Sequence, residues 1–188
     1  DNKGFEFSVD YKKQFSRDFY MSLMGNFSYN HNTVVENDID YAYPWLDLRG
    51  QRVGQRYGYI AEKLFESDAE VAASPYQAGD TRAGDIKYKD LNSDGVIDAY
   101  DKAPIGWGST PEIMYGFGVN LSWKGIALSA MFQGAAHVDM LVIGEGVTPF
   151  QYGMSRGNLL SNIDDRWTED NPRQDVFYPR LTPGTTNM

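Results

Sequence analysis

Ile113-Met114-Tyr115-Gly116-Phe117-Gly118-Val119-Asn120-Leu121-Ser122-Trp123 runs into Lys124-Gly125, then into Ile126-Ala127-Leu128-Ser129-Ala130-Met131-Phe132-Gln133. Apolar residues take every odd position up to Trp123. After Lys124-Gly125 they take every even one, with Met131 the exception on the second face. A period of two over 8 to 11 residues predicts a strand, and the two-residue break predicts a tight hairpin turn. The same design opens the chain. Phe5, Val9 and Tyr11 alternate with Glu6, Ser8, Asp10 and Lys12, and Phe7 keeps the phase. After the mostly polar Lys13–Asp18, the odd positions Phe19, Met21, Leu23, Gly25, Phe27 and Tyr29 repeat it. Two antiparallel hairpins, four strands in all, are the expectation.

What lies between the hairpins is long. Residues 31–111 carry turn signals at Tyr43-Pro44 and Ser74-Pro75. One short helix is expected there. Ser67 with Glu70 three residues on makes a capping box, Ala69–Ala73 favours helix, and Pro75 stops it. Residues 137–188 are rich in Gly, Pro and Asn without a period. Connections of this length carry function or form a subdomain.

The fold class is all-β. One face of each strand is apolar and aromatic, the other small or polar. A soluble sandwich alternates in the same way. Two features tilt the reading toward antiparallel strands of a transmembrane β-barrel. The strands have the roughly ten residues needed to cross a bilayer at a tilt. Short turns also alternate with very long loops, as in outer-membrane barrels. Lys13–Asp18 and Lys124–Gly125 would then be periplasmic, and 31–111 and 137–188 extracellular loops. Trp123 and Tyr29 suit an interfacial aromatic girdle. Four strands cannot close a barrel, whose smallest examples have about eight. On this reading the chain is a piece of something larger.

Composition narrows the classes further. The 188 residues hold 17 Lys+Arg, 26 Asp+Glu, two His and no Cys, for a net charge of −9. An acidic chain without a basic cluster argues against nucleic acid. Without cysteine there is neither a disulfide framework nor a thiolate metal site. No apolar run is long enough for a transmembrane helix, and no basic-then-apolar leader is legible at the start.

The sharpest local motif is Asp90-Leu91-Asn92-Ser93-Asp94-Gly95-Val96-Ile97-Asp98-Ala99-Tyr100-Asp101. Its spacing matches an EF-hand loop at positions 1, 3, 5, 6 and 9, with Asp at 12 in place of Glu. A hard cation wants six to eight oxygens. Asp90, Asn92, Asp94, Asp98 and Asp101 would supply side-chain oxygens and Val96 its carbonyl, and Gly95 permits the sharp turn. Structural Ca²⁺ is the expected occupant. The competing reading is an acidic Asx-turn without an ion. No flanking amphipathic helices are visible, which argues against a calmodulin-type switch.

Around this motif the sequence resembles a known family. Gly84-Asp85-Ile86-Lys87-Tyr88-Lys89-Asp90 through Asp98, then Pro104-Ile105-Gly106, Pro111-Glu112 and Tyr115-Gly116-Phe117, look like SusC/RagA-type TonB-linked outer-membrane transporters. Asn2-Lys3-Gly4-Phe5-Glu6, Tyr57-Gly58-Tyr59, Phe132-Gln133-Gly134, Asp165-Arg166-Trp167-Thr168 with Asn171-Pro172, and Tyr178-Pro179-Arg180-Leu181 follow in the family's order. Ser93 departs where Gly is commoner. The resemblance covers a late part of the barrel, outside the N-terminal plug and the TonB-contacting segment. It implies a plugged barrel of about 22 strands in the outer membrane of a Gram-negative bacterium. It also implies a SusD-like surface lipoprotein as partner, glycan or peptide as cargo, and uptake driven by TonB. The remaining alternative is a soluble secreted calcium-stabilised β-domain that binds glycan or a protein partner.

No enzyme is expected. Ser28-Tyr29-Asn30-His31 lacks a nucleophile elbow. Asp164 and Asp165 are adjacent, so they are expected to point apart. His137, near Asp139, reads as a loop-end residue. Tyr41, Tyr43 and Trp45 could stack on sugar rings, but packing within the loop or contact with the lipoprotein is the preferred reading. Arg180 is expected to order a loop by pairing with a carboxylate. Gly116 and Gly118 read as relief of crowding on the polar face.

Overall fold

The computed structural model describes residues 1–144, 147–149 and 159–181. The described chain divides into two compact units. The first comprises Asp1–Asp40, Asp47–Arg56 and Gly106–Met140, and the second Tyr41–Leu46, Tyr57–Ile105 and Leu141–Met188.

Unit 1 is built on one antiparallel sheet. Its strands are β1 (Asn2–Gln14), β2 (Phe19–Asn32), β9 (Ile113–Trp123) and β10 (Ile126–Ala136), in the order β1-β2-β9-β10. The pairing aligns the apolar positions into rows across the sheet. One row is Val9–Gly25–Phe117–Phe132, the next is Tyr11–Leu23–Val119–Ala130, and another is Phe7–Phe27–Tyr115–Gly134. Rings on this face touch: Phe5 and Phe27, diagonal across the β1–β2 pair, are 5.7 Å apart, and the paired Phe117 and Phe132 5.1 Å. The opposite face carries rows such as Lys12–Ser22–Asn120–Ser129. There Asn26 Oδ1 lies 3.0 Å, and Met24 Cγ 3.2 Å, from where a Cβ on Gly116 or Gly118 would stand. Neighbouring side chains fill the space that these glycines leave, as expected of crowding relief.

The first turn is tighter than expected. β1 continues through Lys13 and Gln14, and the Gln14 amide closes the turn by donating to the Ser16 and Phe19 carbonyls. Lys124 and Gly125 both hold positive φ, +46° and +85°, which suits the twist of a two-residue hairpin.

Unit 2 is a set of short pairings. β3 (Tyr57–Tyr59) pairs antiparallel with β8 (Lys102–Pro104), and β4 (Ala61–Leu64) pairs antiparallel with β6 (Ile86–Tyr88). β5 (Tyr76–Gln77) runs parallel to β7 (Val96–Ile97). Elements of two to four residues are too short to show a period, so the sequence does not betray them. Both outer edges of the β4–β6 pair are closed by glutamine amides. Gln174 accepts from Leu64 N and donates to Leu64 O; Gln77 accepts from Tyr88 N and donates to Ile86 O. Each side chain stands in for a missing strand and satisfies backbone groups that would otherwise be exposed.

Helix α1 (Asp68–Ala72) forms where expected, with Ser67 accepting from Glu70 N at its start. The reciprocal arm differs: the Glu70 carboxylate accepts from Glu66 N, one residue earlier than a capping box would have it.

The large buried apolar side chains lie in unit 2: Leu64, Phe65, Ile97, Trp167 and Tyr178. The sheet of unit 1 encloses no such core among the described residues. Its apolar rows stay open, with Phe5 and Phe7 each 60% and Phe117 54% exposed.

Candidate functional site

The calcium-type loop is held by its own carboxylates. Asp90 accepts from Ser93 N at 2.6 Å and Gly95 N at 2.9 Å. Asp94 accepts from Val96 N, and Asn92 Oδ1 accepts from Asp94 N. Asp98 caps the 3-10 turn Ala99–Asp101 by accepting from Tyr100 N. Asp101 is fully buried and accepts from Leu91 N at 2.7 Å and Asp98 N at 2.9 Å. Ser93 stands at φ +61° and Gly95 at +84°. The left-handed backbone at 93 explains why glycine suits that position. All six sequence-predicted ligands are thus brought into one tight loop. Their carboxylates point at loop N–H groups, and no three His, Asp or Glu side chains among the described residues converge as a ready metal cage.

The aromatic residues pack onto this loop. Tyr43 and Trp45 stack at 4.7 Å, and Tyr43 meets Tyr100 edge-on at 5.6 Å. Trp45 Nε1 donates to the Tyr100 carbonyl, and Asn92 donates to the Tyr43 hydroxyl. One face of each stacked ring is therefore committed inside the loop. Tyr41 is half-buried nearby in sequence.

Arg180 pairs with Asp85, as expected of a loop-ordering arginine. Its Nε and Nη2 reach the two carboxylate oxygens at 3.0 and 2.7 Å, and Asp85 is 1% exposed. The Trp167 ring lies over Gly84, where any Cβ would overlap it. Asp164 and Asp165 do point to different partners, Arg166 and Arg173.

One cluster escaped the sequence reading. Glu112, 4% exposed, accepts from Arg52 Nε, from His31 at 2.6 Å and from His137 at 3.0 Å. An ionised carboxylate only accepts, so each imidazole carries a proton on Nδ1. Arg52 also lies over the Trp107 ring, which stacks on His137 at 3.7 Å. His137 is therefore held by Glu112; Asp139 instead accepts from Trp107 N. Burial pushes the Glu112 carboxyl up, but the bonds from Arg52, His31 and His137 outweigh it and hold it at about 2. The five side chains come from scattered positions, and only Pro111-Glu112 stood within any legible motif.

Long antiparallel strands thus carry large ordered loops. The relatives of this chain are TonB-dependent receptors. The chain is 27% identical over an alignment of 194 residues to TonB-dependent receptor P3 of Formosa agariphila, covering 96% of this chain and 19% of that receptor. It is 25% identical to TonB-dependent receptor P26 of the same organism, covering 94% and 18%. The chain thus spans about a fifth of the length of the curated relatives it matches. Its fold matches one chain of the RagAB peptide importer in the "open-open" state with a TM-score of 0.67, at 21% identity, over 100% of this chain and 20% of that one. No family model matches the chain.

Proposed function

We propose that the chain is a late barrel segment of a TonB-dependent outer-membrane importer of a Gram-negative bacterium. It contributes four membrane-crossing strands, with extracellular loop regions at 31–111 and 137–188. The whole protein would import oligosaccharides or peptides with a SusD-like surface lipoprotein, energised by TonB through a part outside this chain. The observation that carries this is the open apolar face on strands of 11 to 14 residues. Such lengths meet or exceed the roughly 9–11 residues needed to cross a bilayer. The TonB-dependent relatives and the peptide importer of like fold support the same reading. A soluble calcium-stabilised domain requires those rows to be enclosed, and among the described residues they are open.

The segment is read as transport machinery and not as an enzyme, because its buried carboxylates serve as acceptors for structural donors. For the loop 90–101 we retain Ca²⁺ as the proposed occupant, held by Asp90, Asn92, Asp94, Val96, Asp98 and Asp101. The spacing supports it, and so does a fully buried Asp101 that has no cationic partner among the described residues. Tyr43 and Trp45, packed on that loop, are read as loop structure first; any contact with cargo or lipoprotein falls to their open faces and to Tyr41.

The segment contains no cysteine, so single reporters placed in it can test its topology in a full-length receptor freed of any other cysteine. An impermeant maleimide added to intact cells is expected to label Ala72→Cys. Arg17→Cys should label only once the outer membrane is opened. Equal labelling of both on intact cells would sink the proposed orientation.

A further inference from the structure

The turn end of the sheet joins open apolar surface to exposed cations. Phe19, Leu121, Trp123, Ile126 and Leu128 line an open apolar groove of about 490 Å³ on the outward face. Trp123, Ile126 and Leu128 are 54, 68 and 59% exposed. Phe19 is the cross-strand partner of Trp123, and the Phe15 ring lies 5.4 Å from Phe19, so the aromatic surface continues into the first turn.

Two lysines flank this surface. Lys124 Nζ stands 5.2 Å from the Trp123 ring centroid, and Lys13 Nζ stands 5.1 Å from that of Phe15. Neither pairs with a carboxylate among the described residues, whereas Lys12, on the opposite face, pairs with Asp10 at 3.2 Å. Arg17 adds a further exposed cation in the same turn. The two turns are tied to each other by Lys124 N donating to Asp18 O at 3.0 Å. In a chain of net charge −9, this end offers cations beside an open hydrocarbon-lined groove.

We propose that this groove seats a glycerophospholipid. One acyl chain lies against Leu121, Ile126 and Leu128, and the phosphate is level with Lys124 and Lys13. The assignment rests on the membrane reading above, in which this end faces the periplasm and so the phospholipid leaflet. Lysine stems laid over interfacial aromatics place ammonium groups at headgroup depth. Neutralisation of a phosphate by each lysine adds to the burial of an acyl chain.

The test uses the full-length receptor reconstituted in phosphatidylethanolamine–phosphatidylglycerol vesicles. Phosphatidylglycerol retained through detergent purification is then quantified by mass spectrometry. Lys13→Gln and Lys124→Gln are expected to lower retention about fivefold each, and Lys12→Gln to leave it unchanged. A second measurement separates the two claims. Phe117→Trp, mid-sheet on the same face, should be quenched by phospholipids with brominated acyl chains. Quenching with unaltered lipid retention in the lysine variants overturns the site alone. Absence of quenching overturns the membrane reading, and the site with it.

Discussion

Glu112 gathers Arg52, His31 and His137 at the loop end of β2, β9 and β10, and so ties residues 47–56 to the sheet. The segment's backbone adds two bonds of its own, Val34 N to Gln51 O and Gly50 N to Val34 O, both 2.8 Å. Removing the charge leaves donors around a neutral amide. Glu112→Gln is expected to cost about 2 kcal/mol. In hydrogen exchange on the full-length receptor, that is a roughly thirtyfold faster exchange of the Gly50 and Val34 amides. The folded carboxyl titrates at about 2, below its ordinary 4.5. Its contribution is therefore complete above pH 4.5 and is lost as pH falls toward 2. Protection of these amides should fall as pH drops from about 4.5 toward 2. This node was invisible in the sequence because it draws single residues from five places, with no spacing to link them. The pairing of Arg180 was half legible: its neighbours in Tyr178-Pro179-Arg180 marked an ordered loop, while the choice of Asp85, 95 residues away, belongs to tertiary structure.

At the scale of elements, legibility followed length. Strands of 11 to 14 residues display their period, and their rows fall where the alternation puts them. β5 and β7, of two residues each, exist through their neighbours, and α1 was legible only through its cap. The loop 90–101 lies between these cases. Its spacing and its turn at Ser93 and Gly95 were readable, but the use of its carboxylates as backbone acceptors was not. If Ca²⁺ binds there, the side chains of Asp90, Asn92 and Asp94 turn part of their oxygen from N–H groups to the ion. The expected affinity is weak, on the order of 10⁻⁴ to 10⁻³ M. Calcium titrated into chelator-treated full-length receptor should then raise amide protection across 90–101, and Asp90→Ala and Asp94→Ala should each abolish the increase. Unchanged protection in the parent would leave the loop an ion-free Asx-turn.

At the scale of the molecule, the two units bury different things. Unit 2 has an aqueous-type core around Phe65, Trp167 and Tyr178, whereas unit 1 presents apolar rows outward. They should respond separately to mutation. Arg180→Met leaves the fully buried Asp85 without its cation, a loss of roughly 3 kcal/mol. Exchange at Phe65 and Gly84, whose amides bond across this region, should accelerate, while β9 keeps its protection. Acceleration in both units would show that they unfold as one. Unit 2 is closed by its most distant residues: Trp167 covers Gly84, Arg180 seizes Asp85, and Gln174 seals β4. The Arg180–Asp85 and Gln174–Leu64 contacts join residues 95 and 110 positions apart, so their loop-closure entropy is large and they are expected to form late. The core around Phe65 therefore cannot finish until the chain past Arg180 has emerged. Until Gln174 arrives, the Leu64 N–H and carbonyl on the outer edge of β4 stand open to pairing with another strand.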